Sequence, residues 1–409
     1  MNGAVKPKRI LFVENGIGYG GAVICLRHLV RCLDRSQFYP IVVTGRATAQ
    51  YQEIASEAVW KHIKDRHFDI TAWRALVKRK PVFASNRYLR FIATQIIARA
   101  DDLLNFMPFF LQLLWIAWKF EADLIHANND PVCNRAALLA AKILHKPCVC
   151  HVRENPSYSK LAGYLYKIPD HFVSVSNWVA DRMTSELMVA REKITVVYDG
   201  IELQKLDLKA DGNTFRKQFD IHTNDFVVGL VGLLIPWKGQ ELFLDAAKEL
   251  SDKIPNLKMV IIGGTPEECS NYEEMLKNRV NNENLKNFVI FTGHIGQMES
   301  VYNGLNVVVS ASTAPEPLGT VVIESMAMGR PLIGPNHGGG AEMLDNGETG
   351  LLFSAGDSES FRNAVLELYQ KPDLAERLGE NAQEKAIKLF SIKTHTTSIE
   401  SIYFKLLKQ

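Results

Sequence analysis

The sequence predicts an α/β protein made of two Rossmann-like, doubly wound domains. Short, continuously apolar segments rich in branched aliphatic residues alternate with amphipathic segments, which is typical of parallel sheets covered by helices on both faces. This alternation starts again after about residue 212. At 409 residues the chain is also too long for one ordinary hydrophobic core, because single cores stop growing at ~250–300 residues.

The first domain is predicted to begin with a strand, a glycine-rich turn and a helix. The strand Arg9–Val13 precedes the turn Gly16–Gly21, and Ala22–Leu33 has helical spacing of its apolar residues. Further strands are predicted where short apolar runs are rich in branched aliphatic residues, at Tyr39–Thr44, Ala122–Ala127, Cys148–Val152, Phe172–Val175 and Ile194–Val197.

The second domain repeats the same pattern of strands and helices. The predicted strands are Phe226–Leu230, Lys258–Ile262, Phe288–Phe291, Val307–Ser310 and Pro331–Ile333. The predicted helices are Gln240–Leu250, Tyr272–Asn281 and Val321–Met328. Consecutive sets of strand–helix units of this kind are typical of doubly wound domains.

The turn Tyr198-Asp199-Gly200 and the loop around Gly212 predict the seam between the domains. We therefore assign residues 1–203 to an N-terminal domain and 204–385 to a C-terminal domain. Residues 386–409 form a C-terminal helix, for which packing back on the N-terminal domain is one arrangement. The segment Leu374–Leu407 is expected to contain a break near Ser391.

Composition and charge exclude several classes of function. The net charge is +2, which gives no reason to expect nucleic acid as a partner. No run of about twenty apolar residues occurs, so no transmembrane helix is predicted. The six cysteines form no C-x-x-C pair, and the polar start of the chain does not resemble a signal peptide. Reduced cysteines and a cytoplasmic location are expected.

The turn after the first predicted strand carries Gly16, Gly18 and Gly21, a nominal G-x-G-x-x-G motif. Glycines let a ligand approach the backbone closely, and a helix start offers amide donors to an anion. A dinucleotide site would also need an acid after the second strand, but Thr44-Gly45 stands there. The motif thus favours an anion or sugar site over NAD, and a plain strand-to-helix turn is the alternative.

The most informative segment is Ser310–Gly334, in which a strand is followed by a loop and a helix. Glu316 lies on the loop and Glu324 lies within the helix, among apolar neighbours where an unpaired carboxylate is costly. The free amides at the helix start, Gly319–Val321, lie between the two acids. Such amides suit a diphosphate, and the acids suit the hydroxyls of a sugar and a ribose.

These residues resemble the E-x7-E signature of the family 4 retaining glycosyltransferases. The resemblance covers nearly the whole chain and is strongest over residues 226–357. It implies the GT-B fold, in which an acceptor domain and a nucleotide-sugar domain face a central cleft. Further matching segments are Gly20-Gly21, Ile262-Gly263-Gly264, Phe291–His294, Ala327–Pro331, Gly338–Gly340, Glu342 and Asn346–Phe353.

The resemblance implies roles for individual residues of the second domain. Glu316 would contact the transferred sugar, and Glu324 would contact the ribose of the donor. The amides of Gly319 and Thr320 would bind the diphosphate, together with the ammonium group of Lys238.

The resemblance also implies that His151, at a strand end, is an active-site histidine; a hydrogen-bonded core residue is the alternative. One departure concerns Leu233, which follows Gly232 at a position where the family usually has arginine. A bidentate phosphate clamp is therefore missing. Either Lys238 suffices, or another cation such as Arg153 compensates, or activity is impaired.

The chemistry implied by this pattern is departure of a nucleoside diphosphate from a sugar. No D-x-D motif occurs in the sequence, so a metal-held diphosphate is not expected. Lys238 and the helix start at Thr320 would stabilise the leaving group instead. The resemblance implies front-face retention, whereas a double displacement with Glu316 as nucleophile stays open.

The first domain also contains a basic segment followed by an aromatic one. Between Ile70 and Ala100 there are seven basic residues and no acidic residue, and Phe106–Phe120 holds Trp115, Trp118 and four phenylalanines. A basic flank beside an aromatic face favours a helix in a membrane interface, so residues 74–120 are predicted to contact a membrane peripherally. A buried helix leading into the next strand is the alternative.

The sequence therefore predicts a metal-independent, retaining glycosyltransferase of hexosyltransferase type that extends a cell-surface polysaccharide at the inner membrane face. Its donor is a nucleotide sugar, its acceptor a glycan or lipid-linked sugar, and no cofactor is expected besides the donor. A catalytically silent nucleotide-sugar scaffold, a sugar-nucleotide epimerase and, least favoured, an NAD oxidoreductase are the alternatives. The predicted catalytic residues are Glu316, Lys238 and His151, and the predicted substrate-binding residues are Gly20, Gly21, Arg153, Gly319, Thr320 and Glu324.

Overall fold

A computed structural model describes residues 6–16, 20–65, 70–156 and 159–408 of the chain. The chain forms two compact units. The first comprises Met1–Ser174, Ala180–Thr195 and Thr396–Gln409, and the second comprises Val175–Val179 and Val196–His395. The principal divisions thus lie after residues 195 and 395, whereas the boundaries predicted from the sequence are 203 and 385.

The first unit is built on a parallel sheet of seven strands in the order β3-β2-β1-β4-β5-β6-β7. Residues Ile10–Val13 of the central strand are completely buried, as expected for a strand covered on both faces. The strands are β1 Lys8–Glu14, β2 Phe38–Thr44, β3 Val59–His62, β4 Leu124–Asn128, β5 Cys148–Val152, β6 His171–Ser174 and β7 Ile194–Val196.

Helices connect these parallel strands. The predicted helix after the first strand is present, and the segment between β3 and β4 forms several helices in succession. The helices of this part are α1 Gly21–Cys32, α2 Ala49–Gln52, α3 Ile70–Arg79, α4 Pro81–Ser85, α5 Arg87–Asp101, α6 Met107–Lys119, α7 Arg135–Leu144, α8 Lys160–Leu165 and α9 Asn177–Leu187.

The second unit contains a parallel sheet of six strands in the order β10-β9-β8-β11-β12-β13. The two sheets with interleaved helices confirm the predicted α/β, doubly wound fold class. The strands are β8 Phe226–Val231, β9 Leu257–Ile262, β10 Val289–Gly293, β11 Val307–Val309, β12 Leu332–Pro335 and β13 Leu351–Phe353.

A large apolar core lies on one face of this sheet and is formed by β8, β9, β11 and the helices that cover that face. The helices are α10 Gly212–Gln218, α11 Gln240–Lys253, α12 Ser270–Asn282, α13 Met298–Gly304, α14 Thr320–Ala327, α15 Gly338–Ala341, α16 Ser358–Gln370, α17 Pro372–Leu389 and α18 Ile392–Leu407.

The final helix, α18, begins after the predicted break near Ser391 and anchors its last turns in the first unit. Tyr403 is completely buried, and its ring packs edge-on against Phe12 and Phe38. The Tyr403 hydroxyl lies 2.6 Å from Nδ1 of His126 on β4. The end of the chain therefore contributes to the core of the unit that the beginning of the chain forms.

Among the described residues, no helix is both long and apolar enough to cross a bilayer.

Candidate functional site

Each sheet changes the direction of its strand order at one place. In the first sheet the switch lies between β1 and β4, and in the second it lies between β8 and β11. Ligands of doubly wound folds bind outside the carboxyl ends of the strands at such a switch point. The loops that leave β8 and β11 carry Lys238 and Glu316, so the topology brings these two predicted residues to the same edge.

Lys238 and Glu316 form an ion pair at this edge. Nζ of Lys238 lies 2.7 Å from Oε2 of Glu316, and the two side chains are 16% and 15% exposed. The hydroxyl of Ser312, three residues after the end of β11, donates a short hydrogen bond to Oε1 of Glu316. Both charges are thus held in fixed positions near the surface of the second unit.

A glycine allows the two loops to approach each other so closely. Gly239 has φ 81° and follows Lys238 directly, at the start of α11. A β-carbon at this residue would lie 1.9 Å from the carbonyl oxygen of Ala311. No larger residue fits there, because the conformation is left-handed and the space is already filled by backbone. The position of Lys238 therefore depends on Gly239.

Leu233 lies in the same loop, and its side chain is 51% exposed. It contributes no charge to the site. Trp237 is 41% exposed, and the Nζ of Lys238 lies 4.7 Å from the centre of its indole ring. This cation–π contact helps to orient the ammonium group. Lys238 thus stands beside an aromatic ring in the loop after β8.

The helix α14 begins next to Glu316. Its first flanking residue, Gly319, has φ 95°, a left-handed conformation. Within the described part of the chain, no acceptor takes the amide protons of Gly319, Thr320 and Val321, as expected for the first turn of a helix. These free amides and the positive end of the helix dipole form a place where an anion is stabilised.

The glycine triplet Gly338–Gly340 supports the loop that carries Glu316. The amide of Gly339 donates to the backbone oxygen of Glu316 over 2.8 Å. Gly338 has φ 71°, and a β-carbon on it would lie 2.8 Å from the backbone nitrogen and oxygen of Glu316. Nε2 of the preceding His337 lies 2.8 Å from the carbonyl oxygen of Ser312. The motif is thus a close backbone contact that fixes the position of the loop.

Glu324 lies one turn into α14 and is held by a buried tyrosine. The hydroxyl of Tyr302, on α13, donates to Oε2 of Glu324 over 2.6 Å. Burial raises the pKa of the Glu324 carboxyl above its usual value, while this hydrogen bond opposes the rise. Tyr302 is itself almost completely buried. The carboxyl that was predicted to bind ribose therefore has a fixed orientation in the described structure.

The remaining predicted residues lie in the first unit. His151 occupies β5 and is completely buried, and Arg153 follows the end of that strand and is 9% exposed. Nη2 of Arg153 lies 3.2 Å from Nδ1 of His151. Gly20 and Gly21 begin α1, and a β-carbon on either would meet no atom within 4 Å. The backbone there is open to an approaching ligand.

The structure thus brings Lys238, Glu316, Gly319 and Thr320 together and places Glu324 on the same helix. The first unit holds the others, and Gly18 of the predicted glycine motif lies outside the described residues. Sequence reasoning missed several supporting side chains. They are Ser312, Tyr302 and His337. The position of His337 directly before the glycine triplet was the only signal in the sequence, and nothing in the spacing linked Ser312 or Tyr302 to the acids.

Comparisons with known proteins match both halves of the chain. Residues 19–205 match the family described as Glycosyltransferase Family 4, and residues 211–385 match Glycosyl transferases group 1. The Staphylococcus aureus protein "Capsular polysaccharide biosynthesis glycosyltransferase CapM" is 28% identical over 71% of this chain and 78% of its own length. An Escherichia coli protein, UDP-Gal:alpha-D-GlcNAc-diphosphoundecaprenol alpha-1,3-galactosyltransferase, is 24% identical over 76% of this chain and 82% of its own length.

Solved structures share the fold. The crystal structure of Anabaena HepE in complex with UDP covers 97% of this chain and 100% of its own, with a TM-score of 0.79 and 22% sequence identity. The same protein in complex with UDP-glucose superposes with a TM-score of 0.77 and 23% identity. Likeness at this level of identity shows the GT-B fold.

Proposed function

We propose that this chain, which belongs to family 4 of the glycosyltransferases, transfers a sugar from a nucleotide sugar to a glycan or lipid-linked acceptor in cell-surface polysaccharide synthesis. The observation that carries this proposal is the ion pair between Lys238 and Glu316 beside the free amides of α14. A cation, an acid and an anion-binding helix start at one switch point suit an activated sugar.

The donor would be held through its diphosphate, its ribose and its sugar. The amides of Gly319 and Thr320 would bind the diphosphate, and Lys238 would exchange its bond to Glu316 for one to a phosphate oxygen. Glu316 is then released to accept hydrogen bonds from the hydroxyl groups of the sugar, and Glu324 accepts hydrogen bonds from those of the ribose. The UDP and UDP-glucose complexes of Anabaena HepE support this class of donor.

The reaction would break the bond between the anomeric carbon and the diphosphate oxygen and form a bond from that carbon to the acceptor oxygen. Negative charge develops on the departing diphosphate, where Lys238 and the start of α14 stabilise it; one well-placed donor contributes ~3–4 kcal/mol to such a step. These groups supply the positive charge, so we expect turnover without a divalent cation.

Retention of configuration follows if the acceptor attacks the face from which the diphosphate leaves. The departing phosphate oxygen then takes the acceptor proton. The second route is a double displacement, in which Glu316 forms and later loses a bond to the anomeric carbon. An NMR determination of the anomeric configuration of the product tests retention, and trapping a sugar on Glu316 would select the second route.

A thermal-shift panel of nucleotide sugars tests the donor assignment. The correct donor should raise the melting temperature by mass action, an effect of ~2.7 kcal/mol at a concentration 100-fold above Kd. The shift should shrink in Glu324→Gln and persist in the control Glu283→Gln, since Glu283 is exposed at the end of α12. A panel in which no nucleotide sugar shifts the wild type, or in which both variants respond alike, contradicts the assignment.

Leu233 gives a specific reason to test for a silent scaffold as well. The donor selected by the panel is incubated with the protein and with glycan and lipid-linked sugar acceptors, and released nucleoside diphosphate is measured. Binding without release would support a scaffold, and release of an isomerised nucleotide sugar would support an epimerase. Release of nucleoside diphosphate together with a glycosylated product supports the transferase.

We also propose that the chain contacts an anionic membrane peripherally, from the cytoplasm and at the inner face. Helices α3–α6 display large apolar side chains to solvent, several of them more than half exposed. They include Trp73, Tyr88, Phe91, Ile96, Leu103, Leu111, Trp115 and Trp118. Basic residues on the same segment, among them Arg79, Lys80, Arg87 and Arg99, are also exposed. This combination suits an interfacial segment on anionic lipid.

Part of the segment packs inside the first unit. In α6, one face is buried through Phe109, Phe110 and Leu113, while Trp115 and Trp118 lie on the exposed face. The interfacial and core interpretations of this helix therefore apply to its two opposite faces.

Flotation with anionic liposomes tests the membrane contact. Reversing Arg87 and Arg90 to glutamate should reduce the fraction of protein that floats. The double reversal of Arg377 and Lys388, two exposed residues of α17, serves as the control of equal charge change. Equal flotation of the wild type and both variants would refute an electrostatic contact through this segment.

A further inference from the structure

A buried polar network occupies the switch point of the first sheet. Glu14 is the last residue of β1, and Asn128 is the last residue of β4. The two residues are register partners in the parallel pairing of these strands. Glu14 is 1% exposed and Asn128 is completely buried. A carboxyl group in such a place requires hydrogen-bond partners.

Both oxygens of Glu14 have partners. The amide of Gly16 donates to Oε1 over 2.7 Å, and Nδ2 of Asn128 donates a short hydrogen bond to Oε2. A β-carbon on Gly16 would lie 2.6 Å from Oε1, so a larger residue would require the carboxyl group to move. Glu14 thus fixes the point at which the chain leaves β1.

Asn128 extends the network to two further elements. Its Nδ2 also donates to the carbonyl oxygen of Ala22, in the first turn of α1, over 3.1 Å. Its Oδ1 accepts from Nε of Arg153 over 3.1 Å. A guanidinium group only donates, and the Ala22 carbonyl and the ionised Glu14 carboxylate only accept, so the orientation of the amide is determined when Glu14 is ionised. Turning it over would lose every one of these bonds.

The network continues to the predicted active-site histidine. Nη2 of Arg153 lies 3.2 Å from Nδ1 of His151. Because the guanidinium is the donor, Nδ1 is the acceptor, and a neutral His151 carries its proton on Nε2. Glu14, Asn128, Arg153 and His151 therefore form one chain of hydrogen bonds across the carboxyl ends of β1, β4 and β5.

We propose that ionised Glu14 is a positioning residue of the transferase. It holds the start of the glycine turn directly. Through Asn128 it also holds the first turn of α1 and the pair formed by Arg153 and His151. This inference rests on the proposed function for its catalytic consequence, and on the contacts above for its structural one. Glu14 itself is buried beneath these groups, so it acts on substrate through them.

Burial of Glu14 makes its ionisation sensitive to pH near neutrality. Burial raises the pKa of Glu14 to about 7, opposed by the bonds from Asn128 and Gly16 and by the charge of Arg153, and aided by Glu154. The other titratable side chains in this region are Asp130 and Cys133, in the segment after β4, and His151 on β5. The register partner on β2 is Thr44, and Gly21 and Ala22 of α1 carry no titratable side chain. A protonated Glu14 has an oxygen that donates, so it loses one of its two bonds.

Hydrogen exchange tests the structural consequence without any ligand. The amide of Gly16 can lose its bond to Oε1 while the Glu14 carboxyl stays buried. After correction for intrinsic rates, this local exchange of the peptide that contains Gly16 should be about tenfold faster at pH 6 than at pH 8, because it follows the protonated fraction of a group with a pKa of about 7. Global unfolding exposes the carboxyl to water and has the opposite pH dependence. Glu14→Gln should exchange fast at both values. Glu57→Gln is the matched control, because Glu57 is a largely buried carboxylate paired with Arg27 and Arg31 and its pKa is lowered.

Turnover tests the catalytic consequence. With the nucleotide sugar selected by the panel, kcat for release of nucleoside diphosphate should fall about tenfold in Glu14→Gln at pH 8, while the donor Kd stays unchanged. Wild-type kcat should fall by a similar factor between pH 8 and pH 6, and the profile of the variant should be flat.

A variant with wild-type exchange and an unchanged pH profile overturns the inference and leaves the donor assignment standing. If Glu14→Gln does not fold, the wild-type exchange profile alone decides, and a profile without an inflection near pH 7 overturns the inference. Failure of the panel would refute the proposed function without touching the exchange result.

Discussion

Replacing Lys238 with methionine tests the role of the ion pair at the end of β8. Methionine keeps much of the aliphatic stem that lies 3.5 Å from the position of a β-carbon on Gly232, but removes the ammonium group. In the ground state Nζ lies 2.7 Å from Oε2 of Glu316. In the transition state we expect the same charge to face the departing diphosphate.

The magnitude follows from the partly buried setting of the pair. Two unit charges 4 Å apart interact by ~4 kcal/mol at the effective dielectric of sites near a protein surface. Loss of one preorganised donor to a developing charge raises the barrier by ~3 kcal/mol. Since each ~1.36 kcal/mol is a factor of ten in rate, kcat should fall at least about a hundredfold. Glu316→Ala should lower turnover by at least the same factor.

The fold should survive this change. Glu316 keeps its hydrogen bond from Ser312, and the lost pair is partly exposed, so the free energy of unfolding should change by ~1 kcal/mol. That corresponds to a shift of ~2–4 °C in melting temperature for a domain of this size. Any large loss of rate is then a loss of transition-state stabilisation.

The assay measures release of nucleoside diphosphate from the selected donor under single-turnover conditions, with melting curves of the same samples. Lys253→Met is the control, because Lys253 is an exposed lysine at the end of α11 in the same unit. A Lys238→Met enzyme with near-wild-type kcat and an unchanged melting temperature would refute the assignment of Lys238.

Further predictions concern the supporting residues. Tyr302→Phe removes the hydroxyl that holds Glu324, and loss of one such buried bond, ~1–3 kcal/mol, should weaken donor binding about tenfold in calorimetry; unchanged Kd contradicts the positioning role. Gly239→Ala places a β-carbon 1.9 Å from the carbonyl oxygen of Ala311 at φ 81°, so kcat should fall more than tenfold and the melting temperature should drop. A variant with the kcat and melting temperature of the wild type would show that the site does not depend on close contact between the loops after β8 and β11. The folded-state pKa of Glu14 is raised from 4.5 to about 7. The contribution of its protonated form to the free energy of unfolding is therefore present below pH ~4.5 and is lost as the pH rises to ~7, a change of ~3 kcal/mol. Denaturant unfolding of Glu14→Gln should lack this pH-dependent component, and identical pH profiles of stability for the variant and the wild type would contradict it.

The strands of both sheets could be predicted because most of them are continuously apolar. β5 has the predicted bounds, and the others differ by a residue or two at their ends. The sequence did not predict β3, Val59–His62, which lies at the sheet edge and is half exposed. It also did not predict β13, Leu351–Phe353, which has only three residues. A short or polar edge strand lacks the apolar run that marks a central one.

The acids of the site could be predicted because they share one continuous strand–loop–helix segment. Tyr302 and Glu14 could not, because their roles depend on contacts between distant parts of the chain. Tyr302 reaches Glu324 from the preceding helix α13, and Glu14 meets Asn128 only because β1 and β4 are neighbours in the sheet. Strand order of this kind is set by tertiary packing, and no local spacing encodes it.

The most direct test of the donor site is a crystal structure of the protein with the nucleotide sugar that the thermal-shift panel selects. We predict density for the diphosphate against the amides of Gly319 and Thr320, with a phosphate oxygen within hydrogen-bond distance of Lys238 Nζ and the ribose at Glu324. A diphosphate bound elsewhere, with Lys238 still paired to Glu316, would contradict the account.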